Sequence, residues 1–134
     1  MTIVVESLHE ASYQDQQDLL KIYQDAPPEL FAPLNDAREL IETSLGDGSL
    51  LVGRVNGRLL GAARLQRHPE AWRLSHLCVR SITRRRGVAE RLVRQAQAMA
   101  REQGAALHLR APNGNPHAQA LAAKLHLPLE TLPA

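Results

Sequence analysis

The sequence predicts an α/β chain, an α+β arrangement built on one mixed sheet, and three observations carry that expectation. Asn56-Gly57 separates two runs of strand character, as an antiparallel hairpin requires. Between Trp72 and Ala111 a strand, a long one-faced helix and another strand follow in turn, which demands a crossover between parallel neighbours. The 134 residues are enough for one domain with a real core, so 1–134 is expected to form a single unit.

Taken in order, residues 3–6 alternate as a short strand. Ser12 is placed to cap a helix over 15–23, whose Leu19, Leu20, Ile22 and Tyr23 form one face. Ala26-Pro27-Pro28 stops that helix, and Pro33 keeps the connection irregular. Asn35 is expected to cap a second helix that turns Ala37, Leu40, Ile41 and Leu45 inward and ends at Gly46, before Asp47-Gly48 turns the chain. Strands over 50–55 and 58–66 flank Asn56-Gly57, a pair suited to a type I′ turn because both positions need positive φ. After His68-Pro69-Glu70, residues 72–79 give the third strand of the meander.

Between 88 and 103, apolar residues at 88, 89, 92, 93, 96, 99 and 100 form a continuous helical stripe closed by Gly104. Residues 106–111 read as a strand. Asn115 caps and Pro116 opens a last helix carrying Ala118, Leu121, Ala122 and Leu125 inward. Nine residues follow Leu125, too few for a further hairpin.

An apolar fraction of 44% and a charged fraction of 22% suit a soluble globular chain. No apolar run approaches the ~20 residues of a membrane helix, so no membrane partner is expected. The N-terminus alternates like a strand and lacks the apolar core of a signal peptide. Cys78 is the single cysteine and cannot form an internal disulfide, which makes a reducing cytoplasm the expected compartment. Aromatic residues at 3% are too few for base stacking, so no nucleic-acid partner is expected. The six histidines show no metal-ligand spacing with carboxylates or the cysteine, and no metal is implied.

Charge is uneven. Through Gly53, ten acids face Lys21 and Arg38, for a net −8; from Arg54 onward, fourteen bases face four acids, for a net +10. Two solvated surfaces of opposite sign explain this, and so does a groove with an anionic ligand at one end and a cation at the other.

The chemical signal lies in Arg84-Arg85-Arg86-Gly87-Val88-Ala89, between a strand and the long helix. The first turn of a helix has amide hydrogens without internal partners and sits at the positive end of the dipole. Gly87 and Ala89 let a ligand approach the backbone, and arginines add bidentate reach to phosphate oxygens, so a diphosphate suits the site. A solvated arginine loop, or one resting on nucleic-acid phosphates, is the competing explanation; its place at a helix start favours the phosphate site. A dinucleotide site of the three-glycine kind does not fit, since that fingerprint is absent.

Leu77-Cys78-Val79 followed by Arg84-x-x-Gly87-x-Ala89 resembles the acetyl-CoA signature of the GNAT superfamily, and Asn115-x-x-Ala118-x-x-Leu121 resembles the start of its last conserved helix. The resemblance implies the GNAT acyl-CoA N-acyltransferase fold with a shortened C-terminus. It implies acetyl-CoA (coenzyme A) as the bound cofactor, with main-chain groups of Leu77, Cys78 and Val79 on the pantetheine arm. Arg84, Arg85, Arg86, Gly87, Val88 and Ala89 would hold the diphosphate, and Asn115 would lie beside the pantetheine. The stretch from Val79 to Val88 is similar to that of a GNAT subgroup, the aspartate decarboxylase maturation factors called PanZ or PanM. That likeness implies a protein that binds acetyl-CoA, then the decarboxylase zymogen, and promotes the self-cleavage needed for pantothenate and coenzyme A synthesis.

Whether the chain transfers an acyl group is left open by its residues. GNAT enzymes commonly place an acidic tyrosine in a Tyr-x-Lys-x-Gly-Phe pattern, where this chain has Ala122-Ala123-Lys124-Leu125-His126-Leu127. Ala122 cannot protonate a leaving thiolate. The base position is equally open: His76, on the third strand of the meander, has a suitable ordinary pKa near 6.5 and is the candidate catalytic residue, against a structural role at a strand bend. Cys78 shares a face with it by alternation. N-acetylation of a small-molecule or protein amine remains the alternative function.

Overall fold

The computed structural model describes residues 2–24, 26–80 and 87–131. Its elements run β1 (Val4–Ser7), α1 (Tyr13–Tyr23), a 3-10 turn (Pro28–Phe31), α2 (Ala37–Asp47), β2 (Leu50–Val55), β3 (Arg58–Arg67), β4 (Trp72–Val79), α3 (Val88–Glu102), β5 (Leu107–Ala111), α4 (Pro116–Leu125) and β6 (Leu129–Thr131). Among the described residues they make one six-stranded sheet in chain order. The β1–β4 meander is antiparallel. Pairing of β4 with β5, and of β5 with β6, is parallel. This is the mixed α/β sheet expected above.

Local chemistry accounts for the element ends. Ser12 Oγ accepts from the Asp15 amide at 3.0 Å, and Asn115 Oδ1 from the Ala118 amide at 3.1 Å, each covering a helix-start donor. Asn56 and Gly57 both take positive φ, as a type I′ turn requires. Two expectations shift. Asp36, not Asn35, caps α2 by accepting from the Glu39 amide, while Asn35 donates to the Glu39 carboxylate. That helix also runs past Gly46 and stops where Gly48 turns left-handed at φ 74°.

The sheet separates two cores. On one face α3 buries Val88, Leu92, Val93, Ala96 and Ala100 with Ala122 and Leu125 of α4. On the other, Leu19, Ile22 and Tyr23 of α1 pack with Leu40 and Ile41 of α2. Where α3 crosses β3 there is no room for a side chain: a Cβ on Gly61 would stand 2.7 Å from Val88 Cγ1. Trp72 is buried in the α3 core, with the Arg67 guanidinium 4.9 Å over its ring. A 3-10 turn at Pro28–Phe31 falls where an irregular connection was expected, and the strand not foreseen is β6. No hairpin is needed to place it, since α4 carries the chain across and it adds in parallel to β5.

Part of the uneven charge resolves into pairs between the two halves of the chain. Arg54 bonds Glu6 and Asp15, Arg58 bonds Asp18, and Arg64 bonds Asp47, so the first arginines of the basic half neutralise acids of the first half.

Candidate ligand cleft

The cleft begins with a break in β4. Arg64 pairs with Ser75 and Ala62 with Cys78, so His76 and Leu77 together face the single residue Ala63. Two residues against one is a β-bulge, which bends the strand and resets its alternation. Leu74 and Leu77, three apart, therefore both pack toward the α3 core, while Cys78 packs toward the α1 side. Pairing of β4 with β5 covers only Trp72↔Leu107, Arg73↔His108 and Leu74↔Leu109 and goes no further. Beyond Leu74 the strands part, and a cleft of about 830 Å³ lies between them.

His76 is the bulge residue, with φ 56°. Its geometry is held from three directions. Tyr23 Oη donates to its carbonyl at 2.6 Å. Its Nε2 lies 2.9 Å from the Ala32 carbonyl and its Nδ1 2.7 Å from Ser75 Oγ. A carbonyl only accepts, so Nε2 carries the proton and a neutral ring accepts from the serine at Nδ1. Burial is the main cause that pushes the imidazole below its ordinary value; nearby Arg64 acts the same way, and the bond to Ala32 opposes. With 2% exposure and both nitrogens engaged, the ring is placed to fix the bulge and to anchor the segment after α1. It is not among the described side chains that line the cleft.

Of the residues singled out by sequence, Leu77, Cys78, Val79, Gly87, Ala89 and Asn115 all line this cleft. Val88, the first residue of α3, is fully buried against the sheet and does not line the cleft. Arg84, Arg85 and Arg86 lie outside the described residues. Gly87 takes φ 77°, with open space where a Cβ would stand, so glycine is needed for its conformation rather than for clearance. Among the described residues no side chain caps α3, whose first amide hydrogens have no partner within the helix. Cys78 Sγ donates to the Ile22 carbonyl at 3.1 Å.

Sequence inspection missed the opposite wall. Ala111 through Asn115 and the α4 face carrying Ala118, Leu121 and Lys124 close the cleft from β5, and Pro27, Glu29 and Leu30 close it from the α1–α2 segment. Only the Asn115 pattern hinted at that wall. Glu90, in the first turn of α3, also lines it and bonds Lys124 at 2.6 Å. Below the cleft, Glu130 of β6 receives Arg73 of β4 at 2.9 Å, Arg110 of β5 at 3.0 Å and His108 at 2.6 Å. The histidine bond foremost, then the two arginines, hold its carboxyl down at about 2, against the pull of burial. Ala122 is buried in the α3 core and presents nothing to the cleft.

A parted pair of parallel strands, one bulged, beside an uncapped helix start can take an extended chain between the strands and an anion at the helix. Comparison with solved structures finds the same fold. Ard1 from Thermoplasma volcanium is 18% identical, with 93% of this chain and 82% of that one covered and a TM-score of 0.72. The ribosomal-protein-S18-alanine N-acetyltransferase from Escherichia coli is also 18% identical, over 92% and 76%, with a TM-score of 0.68. PaiA N-acetyltransferase from Thermoplasma acidophilum, solved in complex with coenzyme A, is 15% identical over 93% and 89%, with a TM-score of 0.69. Comparison with curated proteins finds no match. A family model for the acetyltransferase (GNAT) domain PanZ matches residues 2–129. The chain belongs to the PanZ family of GNAT domains.

Proposed function

We propose that the chain, working as one domain in the cytoplasm, binds acetyl-CoA and in that state promotes maturation of the aspartate 1-decarboxylase zymogen. Ala122 carries this choice over catalysis. The helix that presents an acidic tyrosine in many GNAT enzymes here buries a methyl group in the core, while the carrier cleft is kept.

The residues present fit the carrier. Residues 77–79 line the gap between the parted strands, where their main-chain groups would meet a pantetheine arm. The amides that follow Gly87 would receive the diphosphate, aided by Arg84, Arg85 and Arg86, and Asn115 borders the same gap. Bound acetyl-CoA would supply a thioester. In this proposal the thioester marks the loaded state and is not consumed.

Mixing the protein with uncleaved decarboxylase, with and without acetyl-CoA, tests the maturation role. Faster cleavage that needs both components is expected, and no change in cleavage removes the proposal. The carrier is tested separately by melting. Ligand that binds only the native state raises the melting temperature, and Gly87→Asp, strained at φ 77° and negative at the anion site, should abolish the rise.

Acetyl transfer to an amine is the second possibility, favoured by Glu29 at the cleft wall, whose charge would attract an ammonium. Thiol release from acetyl-CoA with a panel of amines, with no effect on the zymogen, would put it first.

A further inference from the structure

The phosphate end of the cleft contains a charge that works against a phosphorylated ligand. Glu90 stands three residues after Gly87, in the first turn of α3, and lines the cleft. Its carboxylate gains from the positive end of the helix dipole. A diphosphate would compete for that same field and be repelled by the carboxylate. Two cations close on Glu90. Lys124 of α4 brings Nζ to 2.6 Å from Oε1, and Arg94, one turn along α3, brings Nε to 3.0 Å from Oε2. Lys124 and then Arg94 hold the Glu90 carboxyl below the ordinary carboxylate range, so it stays ionised and the pairing persists.

The two cations are not equivalent. Arg94 shares a helix with Glu90 and does not line the cleft, whereas Lys124 comes from the facing helix and does. The bridge to Lys124 therefore ties the two helical walls together and puts a positive group beside the carboxylate on the ligand side.

We propose that Lys124 is a specificity-determining residue that admits a phosphorylated carrier by neutralising Glu90, not by gripping the phosphates itself. The inference rests on the coenzyme A cleft proposed above. It makes the Glu90–Lys124 pair a device that discriminates among ligands by their phosphate charge, and leaves recognition of an unphosphorylated pantetheine arm to the strands.

Binding calorimetry on the full chain, with coenzyme A and with S-acetylpantetheine, tests it in the wild type, Lys124→Gln, Glu90→Gln and the double variant. Lys124→Gln should weaken coenzyme A about two- to fivefold, the size expected of a partly exposed pair. Glu90→Gln should bind at least as tightly as the wild type, and in that background Lys124→Gln should cost little. S-acetylpantetheine should be indifferent to all three changes. Equal losses from Lys124→Gln in both backgrounds would show direct contact with the ligand and overturn the proposal, as would no loss at all. Carbon NMR of the free protein adds a readout without ligand: the Glu90 carboxyl should titrate higher in Lys124→Gln, and an unmoved titration overturns the pairing. Wild-type protein with no affinity for coenzyme A overturns the carrier assignment along with this role. Affinity with purely additive variants overturns this role alone.

Discussion

The two ends of the sheet treat strand pairing in opposite ways. From β1 to β3 the register is paired over nearly the full strand lengths, and the charges on that side are satisfied in the same spirit. Asp18, 1% exposed, accepts from Gln14, from two nitrogens of Arg58 and from the Leu59 amide, which ties α1 to the hairpin. Between β4 and β5 the chain does the reverse: three paired positions are followed by a gap. An open edge inside a sheet leaves backbone donors and acceptors without strand partners, and it persists only where something else fixes the strands. Here the bulge at His76 is held by Tyr23 and Ala32, and the far strands are tied below by Glu130. The bonds of the closed half hold the strands where the other half parts.

The most disruptive test of that division is Gly61→Val. Gly61 belongs to the closed hairpin, yet its surface supports Val88 and Leu92 of α3, the helix that begins at the cleft. Branched carbons there would push α3 off the sheet, and a loss of about 3 kcal/mol or more in chemical denaturation is expected. An unchanged midpoint would mean that α3 does not rest on the hairpin. Asp18→Ala comes next. It strands the fully buried Leu59 amide while Arg58 can still reach water, for a loss of about 2–3 kcal/mol. A neutral result would show that the closed half does not depend on its buried ion pair.

Tyr23→Phe sharpens the link between the halves, because it deletes only the hydroxyl that holds the bulge carbonyl. About 1 kcal/mol of stability should go, with faster hydrogen exchange confined to β4 near residue 76. Uniform or absent change would remove Tyr23 as the support of the bulge. The smallest effect concerns acid. Glu130 ionises at about 2 in the folded chain against an ordinary 4.5, so its contribution is complete above about 4.5 and is lost as the pH falls through about 2. Asp18 and Asp47 are also held low and keep part of that slope. Glu130→Gln should therefore flatten the acid limb in part, with its loss fully present at neutral pH and vanishing below about 2. An identical acid limb would show that β4, β5 and β6 are tied by other means.

Features with short-range causes were legible in the sequence. Asn56-Gly57 specifies its turn through its own φ preference, and Ser12 and Asn115 reach amides three residues away. The stripe beginning at Val88 declares a buried helix face by period alone. Gly87 and Ala89 could be placed between a strand and the start of a helix for the same reason, since strand, turn and helix adjoin in the chain. The choice between Asn35 and Asp36 as a cap was finer than composition can resolve, because either side chain can accept an amide.

Tertiary packing alone decided the rest. A histidine at φ 56° is not specified by its neighbours alone: two of the three groups that hold it come from 53 and 44 positions away. The same holds for the pairing of Glu90 with Lys124 and for the close approach at Gly61, each of which needs two elements already in place. By itself the sequence determined most of the strands and helices and several of their caps and turns, because those properties act within a few residues. Where β4 parts from β5, what lines the gap and which charges cancel there depend on contacts between distant segments, and these form only when the sheet does.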